Sequence, residues 1–282
     1  MQKLLNLGCG SRYLVDSAWS NVDFKSNTKA VLAYDLTRGI PFSDCTFDVI
    51  YHSHVLEHFS SHDAVRFMRE CFRVLKPGGT CRVVVPDMEA ICRQYMEALG
   101  GALRGEEQAF GRYQWMLIEM LDQLVRHRSG GEMASYLQKK DIPERQFIIC
   151  RIGDVAKEQL DALEYSSAKV SYTRPELVRR AWIFATRKLS IFRLAMLSLV
   201  LNRHEMQALE LGLFRLGGES HLWMYDRYSL REVMHLVGFD KIEQCTAISS
   251  RVIGWDLYCL DTEKDGSIYK PDSLYMEALR PD

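Results

Sequence analysis

The feature that most constrains this chain is the segment Leu4-Leu5-Asn6-Leu7-Gly8-Cys9-Gly10, which begins three residues after Met1. A short apolar run leads into a Gly-x-Gly turn, as at the end of a buried parallel strand. Glycine suits such a turn because it adopts backbone angles that a Cβ atom disfavours and leaves space for a ligand. Many purely structural turns have the same pattern, so the segments that follow decide what this one means.

Four more short apolar segments follow within the first hundred residues, at 21–24, 31–34, 47–51 and 80–85. Before the last of them, residues 63–75 carry apolar side chains at three- and four-residue spacing, which predicts an amphipathic helix. Ser60, Ser61 or Asp63 can cap the start of this helix, and Lys76-Pro77-Gly78-Gly79 follows its end. Strands alternating with helices predict a parallel sheet covered on both faces.

Ligands of such sheets bind at the carboxyl ends of the strands. In this chain those ends carry glycines, acids and a serine, which together predict a single site. They are Gly8, Gly10, Asp23, Asp35, Ser53 and Asp87.

The composition is that of a globular protein, with 47% hydrophobic and 26% charged residues in 282. This length suits one large domain or a domain with an insertion. A formal net charge of −1 gives no reason to expect nucleic acid. Eight cysteines without a C-x-x-C pair favour reduced thiols over disulfides or zinc. No signal peptide fits before Leu4 and no apolar run reaches about 18 residues, so we expect a cytoplasmic protein.

Taken in order, five segments resemble the S-adenosylmethionine-dependent methyltransferases of the seven-stranded Rossmann-like fold, and in particular their type 11 group. They are L-N-L-G-C-G, N-V-D-F, A-Y-D-L, F-D-V-I-Y-H-S-H-V-L-E-H and R-V-L-K-P-G-G. The likeness covers residues 3–99 and, more loosely, 221–280. It implies a three-layer α/β fold whose last strand is antiparallel, with a helical insertion after the fifth strand. We expect the first half of the cofactor-binding core at 1–99, the insertion or lid at 100–218 and the rest of the core at 219–282.

The resemblance also implies how the cofactor, S-adenosyl-L-methionine, binds. Asp23 would accept hydrogen bonds from both ribose hydroxyls, because the two oxygens of a carboxylate can serve both donors. Asp35 would meet the adenine amino group, and Leu36 would pack on the ring. The predicted cofactor contacts are Asn6, Gly8, Cys9, Gly10, Asp23, Phe24, Asp35, Leu36 and Ser53.

Two departures from the family pattern stand near this turn. Asn6 replaces the acid that many relatives carry, so a contact there would use an amide. Asp23 comes only thirteen positions after Gly10, so the first helix must be very short or replaced by a loop.

A nicotinamide-binding turn would need a third glycine near position 13, where Tyr13 stands. The alternative without a ligand is a doubly wound domain whose glycines only turn the chain.

The fourth segment leads into His52-Ser53-His54-Val55-Leu56-Glu57-His58. Its H-x-x-E-H string matches a metalloprotease signature, but we discount that because it follows a strand. Some quinone-biosynthesis O-methyltransferases hold a metal through a similar Glu-x-x-Glu-His, whose first Glu is His54 here. We adopt a competing interpretation, in which Leu56-Glu57-His58 is the family's L-E-H signature, makes local hydrogen bonds and holds no metal. His54 is then a candidate general base, since imidazole titrates near neutral pH.

From Met88 to about Gly218 the pattern is helical, which predicts an insertion. Residues 113–128 form an amphipathic helix whose polar stripe is either a solvated face or part of a substrate-binding lid. The stripe contains Glu119, Asp122, Gln123 and Arg126. In 174–193 basic residues outnumber acids six to one among aromatic residues. Residues 176–201 are therefore either a packed insertion helix or a peripheral contact with anionic lipid.

The carboxyl-terminal part resembles the passage that leads into the sixth strand of the same methyltransferases. We expect a helix at 229–237 capped by Ser229, strands at 241–248 and 273–280, and a turn at Asp265-Gly266. In the family this region approaches the acceptor. His221 is therefore a second candidate base. Tyr225, Glu119, Asp122 and Arg126 are candidate substrate contacts.

The resemblance implies methyl transfer from S-adenosylmethionine to a small-molecule acceptor. The ending K-P-D-S-L-Y-M-E-A looks like that of relatives that accompany surface-polysaccharide synthesis, which favours a sugar or glycan hydroxyl. The enzymatic alternative is methylation of a quinone or other lipid. The alternative from another class is a non-catalytic domain that binds S-adenosylmethionine and acts as a membrane or assembly partner. The sequence leaves the oligomeric state open.

Overall fold

A computed structural model describes residues 2–139, 141–153, 196–197 and 199–282. Its seven strands form one sheet in the order β3-β2-β1-β4-β5-β7-β6, and only β7 is antiparallel to its neighbours. This confirms the predicted α/β class and the predicted antiparallel last strand, which lies between the fifth and the sixth. The strands are β1 Leu4–Leu7, β2 Trp19–Asp23, β3 Val31–Ala33, β4 Phe47–Ser53, β5 Leu75–Pro86, β6 Asp240–Cys245 and β7 Ser273–Leu279.

Most described helices follow β5, as the insertion predicts. The helices are α1 Ser61–Val74, α2 Met88–Leu103, α3 Ala109–Val125, α4 Gly131–Leu137, α5 Arg145–Ile152, α6 Arg203–Arg215 and α7 Arg227–Val237. Short 3₁₀ turns lie at Leu36–Arg38, Leu56–His58 and Trp255–Tyr258. The predicted membrane contact at 176–201 falls mainly outside the described residues. Within those residues, none of the helices is both long and apolar enough to cross a membrane.

Side chains alternate between two differently covered faces of the sheet. Leu5 and Leu7 point to the face covered by α1 and α7, whose apolar stripes are buried there. Leu4 points to the other face, where residues between β6 and β7 pack through Trp255 and Leu260. On that face the guanidinium of Arg82 is fully buried. It is held by Asp261 and Glu277, at N···O distances of 2.8 Å each.

The short connection after β1 contains no helix in residues 8–18, all of them described, which confirms the expected loop. Two buried asparagines on neighbouring strands hold this loop instead. The Asn6 amide donates to the carbonyl of Arg12 at 2.9 Å, and the Asn21 amide donates to the carbonyl of Leu14 at 2.9 Å. Each amide thereby satisfies a carbonyl that no helix is present to bond.

Two predicted helix boundaries are corrected. Helix α3 ends at Val125 rather than at residue 128, because Arg126 leaves the helical backbone. Helix α7 begins two residues earlier than expected, and its cap is Asp226 rather than Ser229. Ser229 is the third helical residue, and its hydroxyl accepts the backbone N–H of Asp226 while the Asp226 carboxylate accepts the backbone N–H of Ser229, so the two residues form a capping box. All eight cysteines are free thiols, as expected.

Candidate functional site

The Gly-x-Gly turn opens a small cavity at the carboxyl end of β1. Gly8 and Gly10 have φ angles of +63° and +54°, which L-residues rarely adopt. A Cβ on Gly8 would collide with Val55, whereas a Cβ on Gly10 would meet only open space. The cavity, which we call the donor cavity, measures about 190 Å³. Its lining is Asn6, Gly8, Cys9, Gly10, Ser11, Arg12, Tyr51, Ser53, His54, Leu260, Tyr269 and Lys270.

Asp23 stands beside this turn at the end of β2. Its carboxylate accepts the backbone N–H of Gly10 at 2.7 Å and that of Lys25 at 3.3 Å. The next residue, Phe24, leaves 63% of its surface exposed. A carboxylate next to an exposed aromatic ring offers hydrogen bonds to a diol and a surface for a flat base.

Asp35 and Leu36 follow β3 on the same edge of the sheet. The Asp35 carboxylate caps the 3₁₀ turn by accepting the N–H of Thr37 at 3.0 Å and its hydroxyl at 2.7 Å. Leu36 packs against the core that α1 and α7 cover. Asp87, the last polar residue of the predicted edge, caps α2 through the N–H of Ala90. The strand ends therefore lie together, as the parallel sheet requires.

His54 follows β4 and borders the donor cavity. Its φ of +54° places a non-glycine residue in the left-handed region, a strain that occurs preferentially at functional sites. Both ring nitrogens face a polar group: Nδ1 lies 3.3 Å from Glu57 Oε1, and Nε2 lies within hydrogen-bond distance, 2.9 Å, of the hydroxyl of Ser273. A histidine held between a carboxylate and a hydroxyl has the arrangement of a general base.

Glu57 lies behind His54 and has no solvent exposure. Burial raises the pKa of its carboxyl, but pairing with His54 and the nearby His58 and His221 together lower the pKa to about 2. Burial lowers the pKa of His221 to about 3, against the attraction of Glu57. An ionised Glu57 therefore faces a neutral His221 at neutral pH.

Glu57, His58 and His221 also have the geometry of a possible metal site. Among the described residues, their ligand atoms lie within 4.8 Å of one another. The two imidazole rings contact edge to face, with centroids 4.9 Å apart. The His58 Nδ1 lies 3.2 Å from the carbonyl of Ser220, a local partner that the L-E-H interpretation expects. The expectation of no metal here stays a prediction.

A second cavity of about 230 Å³ adjoins the first, and we call it the acceptor cavity. It shares two lining residues with the donor cavity, His54 and Lys270. The remaining lining contains both polar and apolar residues. These are Gln123, Arg126, Gly130, Met133, Ala134, Leu137, Ile152 and Asp272.

The polar stripe of α3 is buried, so its interpretation as a solvated face is wrong. Glu119 pairs with Arg151 at 2.5 Å, and Asp122 pairs with Arg126 at 2.7 Å. Asp122 also accepts the N–H of Glu132 at 2.6 Å, so its carboxylate caps α4. Of the predicted substrate contacts Glu119, Asp122 and Arg126, only Arg126, the residue that follows α3, borders the acceptor cavity.

His221 and Tyr225 are also buried, at 4% and 1% exposure. The His221 Nε2 lies 3.9 Å from Glu57 Oε1, and neither residue lines the donor or the acceptor cavity. The predicted roles of both residues stay predictions, and the geometry gives His221 a position behind Glu57. In contrast, three residues that were not predicted from the sequence lie at the site. They are Lys270, Asp272 and Ser273. All three belong to the K-P-D-S segment before and at the start of β7, which was noted only as a family likeness.

The comparisons with known proteins agree with this architecture. Residues 5–83 match the family model described as "Methyltransferase domain". No curated protein matches the chain.

Among solved structures, the PH0226 protein from Pyrococcus horikoshii OT3 is 26% identical over 34% of this chain and 54% of its own, with a TM-score of 0.28. The YcgJ protein from Bacillus subtilis is 21% identical over 36% and 51%, with a TM-score of 0.26. A SAM-dependent methyltransferase from Aquifex aeolicus is 18% identical over 31% and 57%, with a TM-score of 0.26. The matches thus span about half the length of these structures.

The strand order is that of the Rossmann-like methyltransferase fold with a seven-stranded sheet. Within that fold, residues 5–83 match the methyltransferase-domain family model, which confirms the resemblance seen in the sequence.

Proposed function

We propose that this protein is an S-adenosylmethionine-dependent methyltransferase that methylates a hydroxyl group of a sugar or glycan acceptor. The observation that carries the proposal is the position of His54, which is shared by the donor cavity and the acceptor cavity. In methyl transfer, the donor and the acceptor must meet with the transferred methyl group between them. Of the two described residues that line both cavities, His54 is the one whose imidazole suits a general base.

The residues at the donor cavity fit the cofactor. The open space at Gly10 lets a ligand approach the backbone, and Asp23 offers its carboxylate to a diol. When bound, S-adenosylmethionine supplies a methyl group on a positively charged sulfur. The reaction is an in-line displacement, so these residues contribute mainly by aligning the reactants and excluding water.

His54 is suited to take the proton of the acceptor hydroxyl. Because Glu57 is ionised and lies on the Nδ1 side, the tautomer with the proton on Nδ1 is favoured. Nε2 then has a free lone pair, which accepts from Ser273 or from an acceptor hydroxyl. Glu57 also stabilises the imidazolium that forms. His221, behind Glu57, is better placed to hold that carboxylate than to touch the acceptor.

A sugar acceptor is supported by polar residues in the lining of the acceptor cavity. Gln123 and Asp272 offer amide and carboxylate groups to hydroxyls. The lining also contains Met133, Leu137 and Ile152, which could pack against the face of a sugar ring. The same apolar residues favour the second candidate, a quinone or other lipid acceptor.

The test is to incubate the protein with isotopically labelled S-adenosylmethionine and a cell extract separated into glycan and lipid fractions. Mass spectrometry then identifies the labelled product. We expect label in the glycan fraction, and His54→Gln should lower the rate by about 10²- to 10⁴-fold. The matched control is His62→Gln, since the side chain of His62 is 85% exposed on α1. Label only in lipid would replace the sugar by the second candidate, and an unchanged rate in His54→Gln would remove the assigned base.

A further inference from the structure

Lys270 occupies a position that no other cation of the described chain shares. It precedes β7, and with His54 it is one of two residues that line both the donor and the acceptor cavity. Its side chain is half-buried, and its ammonium lies 5.8 Å from the ring of Tyr269. The residue therefore stands at the boundary between the two cavities.

The donor cavity contains one other cation, Arg12, and that group is fully engaged. Its guanidinium donates to the carbonyls of Cys259 and Thr262 at 2.7 and 3.0 Å and pairs with Glu263. It also stacks on Tyr269, 3.6 Å from the ring centroid. Arg12 thus holds the segment after residue 258 against the Gly-x-Gly turn, and few of its N–H groups remain for a ligand.

The ammonium of Lys270, in contrast, makes no hydrogen bond or ion pair with any described residue. Burial lowers its pKa, while the carboxylates of Glu57 and Asp272 act in the opposite direction from a distance. An ammonium that is removed from water without a contacting partner is costly. This position is therefore prepared for an anionic group that arrives with a ligand.

We infer that Lys270 binds the carboxylate of the methionine half of S-adenosylmethionine, an inference that rests on the proposed function. The donor has one anionic group, its α-carboxylate, and it lies at the opposite end of the molecule from the ribose and adenine. Asp23, the partner expected for the ribose, does not line the donor cavity, although its carboxylate accepts the N–H of Gly10. The amino-acid half is then the part that enters the cavity, where Lys270 is the uncommitted cation.

The inference makes Lys270 a determinant of donor specificity. A donor that lacks the carboxylate keeps the positive sulfur and the positive amine, so Lys270 would repel it. The intact donor instead gains a charge-assisted hydrogen bond. Lys270 should therefore favour S-adenosylmethionine over decarboxylated S-adenosylmethionine, two molecules that differ only in this group.

Calorimetry with these two ligands tests the inference on the full chain. The wild type should bind S-adenosylmethionine about 10- to 100-fold more tightly than the decarboxylated analogue, the size of a charge-assisted hydrogen bond. Lys270→Met should remove most of this ratio, and Lys270→Arg should keep much of it. The matched control is Lys264→Met, because Lys264 is an exposed lysine of the same segment that borders a neighbouring cavity.

The outcomes separate the inference from the proposed function. If the wild type binds neither ligand, the proposed function fails. If the wild type binds both ligands equally, or if Lys270→Met keeps the wild-type ratio, the inference is overturned while the methyltransferase proposal stands. The ratio is measured on one preparation, so partial unfolding of a variant does not affect it, and the wild-type ratio decides the matter if a variant does not fold.

Discussion

The two cavities that meet at His54 are built in different ways. The lining of the donor cavity includes residues within three positions of a strand end, such as Gly8, Gly10 and Ser53. The acceptor cavity is formed by side chains of α3, of the segment at the start of α4 and of the residues before β7. The first is fixed by the sheet, whereas the second depends on buried charge pairs between distant segments.

The comparison predicts that a charge pair on the acceptor side can be broken without loss of the donor site. Asp122→Ala leaves the buried Arg126 without its closest partner and leaves the start of α4 uncapped. We expect the free energy of unfolding to fall by about 3–5 kcal/mol, the usual cost of removing one partner of a buried pair. Urea denaturation measures it.

The matched variant for this test is Asp122→Asn, which keeps an oxygen for the backbone N–H of Glu132 and should cost less. S-adenosylmethionine affinity should not change in whatever fraction of either variant remains folded. A parallel loss of affinity would show that the two sides are not independent.

Acid should weaken the junction between the two sides. His221 donates its backbone N–H to the carbonyl of Gln123 on α3, and its side chain faces Glu57 beside the sheet. Burial lowers its pKa from 6.5 to about 3, so below pH 6.5 the unfolded chain binds a proton that the folded chain does not. Stability that is present above pH 6.5 is therefore lost as the pH falls toward 3, by about 1 kcal/mol per pH unit from this residue.

Denaturation midpoints at pH 7, 6 and 5 check this slope. His221→Gln should reduce the slope of stability against pH by the amount that corresponds to about one proton taken up on unfolding. His62→Gln on the exposed surface of α1 should leave the slope unchanged. An identical slope in His221→Gln would mean that His221 is not the group that resists protonation.

The smallest effect, a change in binding affinity, is expected on the donor side for Asn6, whose side-chain amide holds the Gly-x-Gly loop. Asn6→Ala removes the hydrogen bond to the carbonyl of Arg12 and should weaken S-adenosylmethionine binding by about 1 kcal/mol, or roughly five-fold. Calorimetry measures the affinity, with Asn202→Ala at the start of the remote helix α6 as control. Unchanged affinity in Asn6→Ala would restrict Asn6 to supporting the fold.

The same difference explains what the sequence could predict. Gly8, Asp23 and His54 were predictable because each follows an apolar strand within one or two residues, so their shared edge follows from the parallel sheet. The pairing of Glu119 with Arg151 was not predictable, because it joins residues 32 apart through the packing of two helices. Lys270 was missed for a similar reason: only the antiparallel placement of β7 beside β5 brings its segment to the carboxyl end of β4.

The direct test of the account is calorimetric binding of S-adenosylmethionine to the wild type, to Asp23→Ala and to Asp16→Ala. Asp16 is an exposed acid in the same loop, whose carboxylate accepts the N–H of Ala18, and its loss should leave affinity unchanged. Loss of the Asp23 carboxylate should lower affinity by about 10- to 100-fold. The account is contradicted if the wild type does not bind or if Asp23→Ala binds as tightly as the wild type.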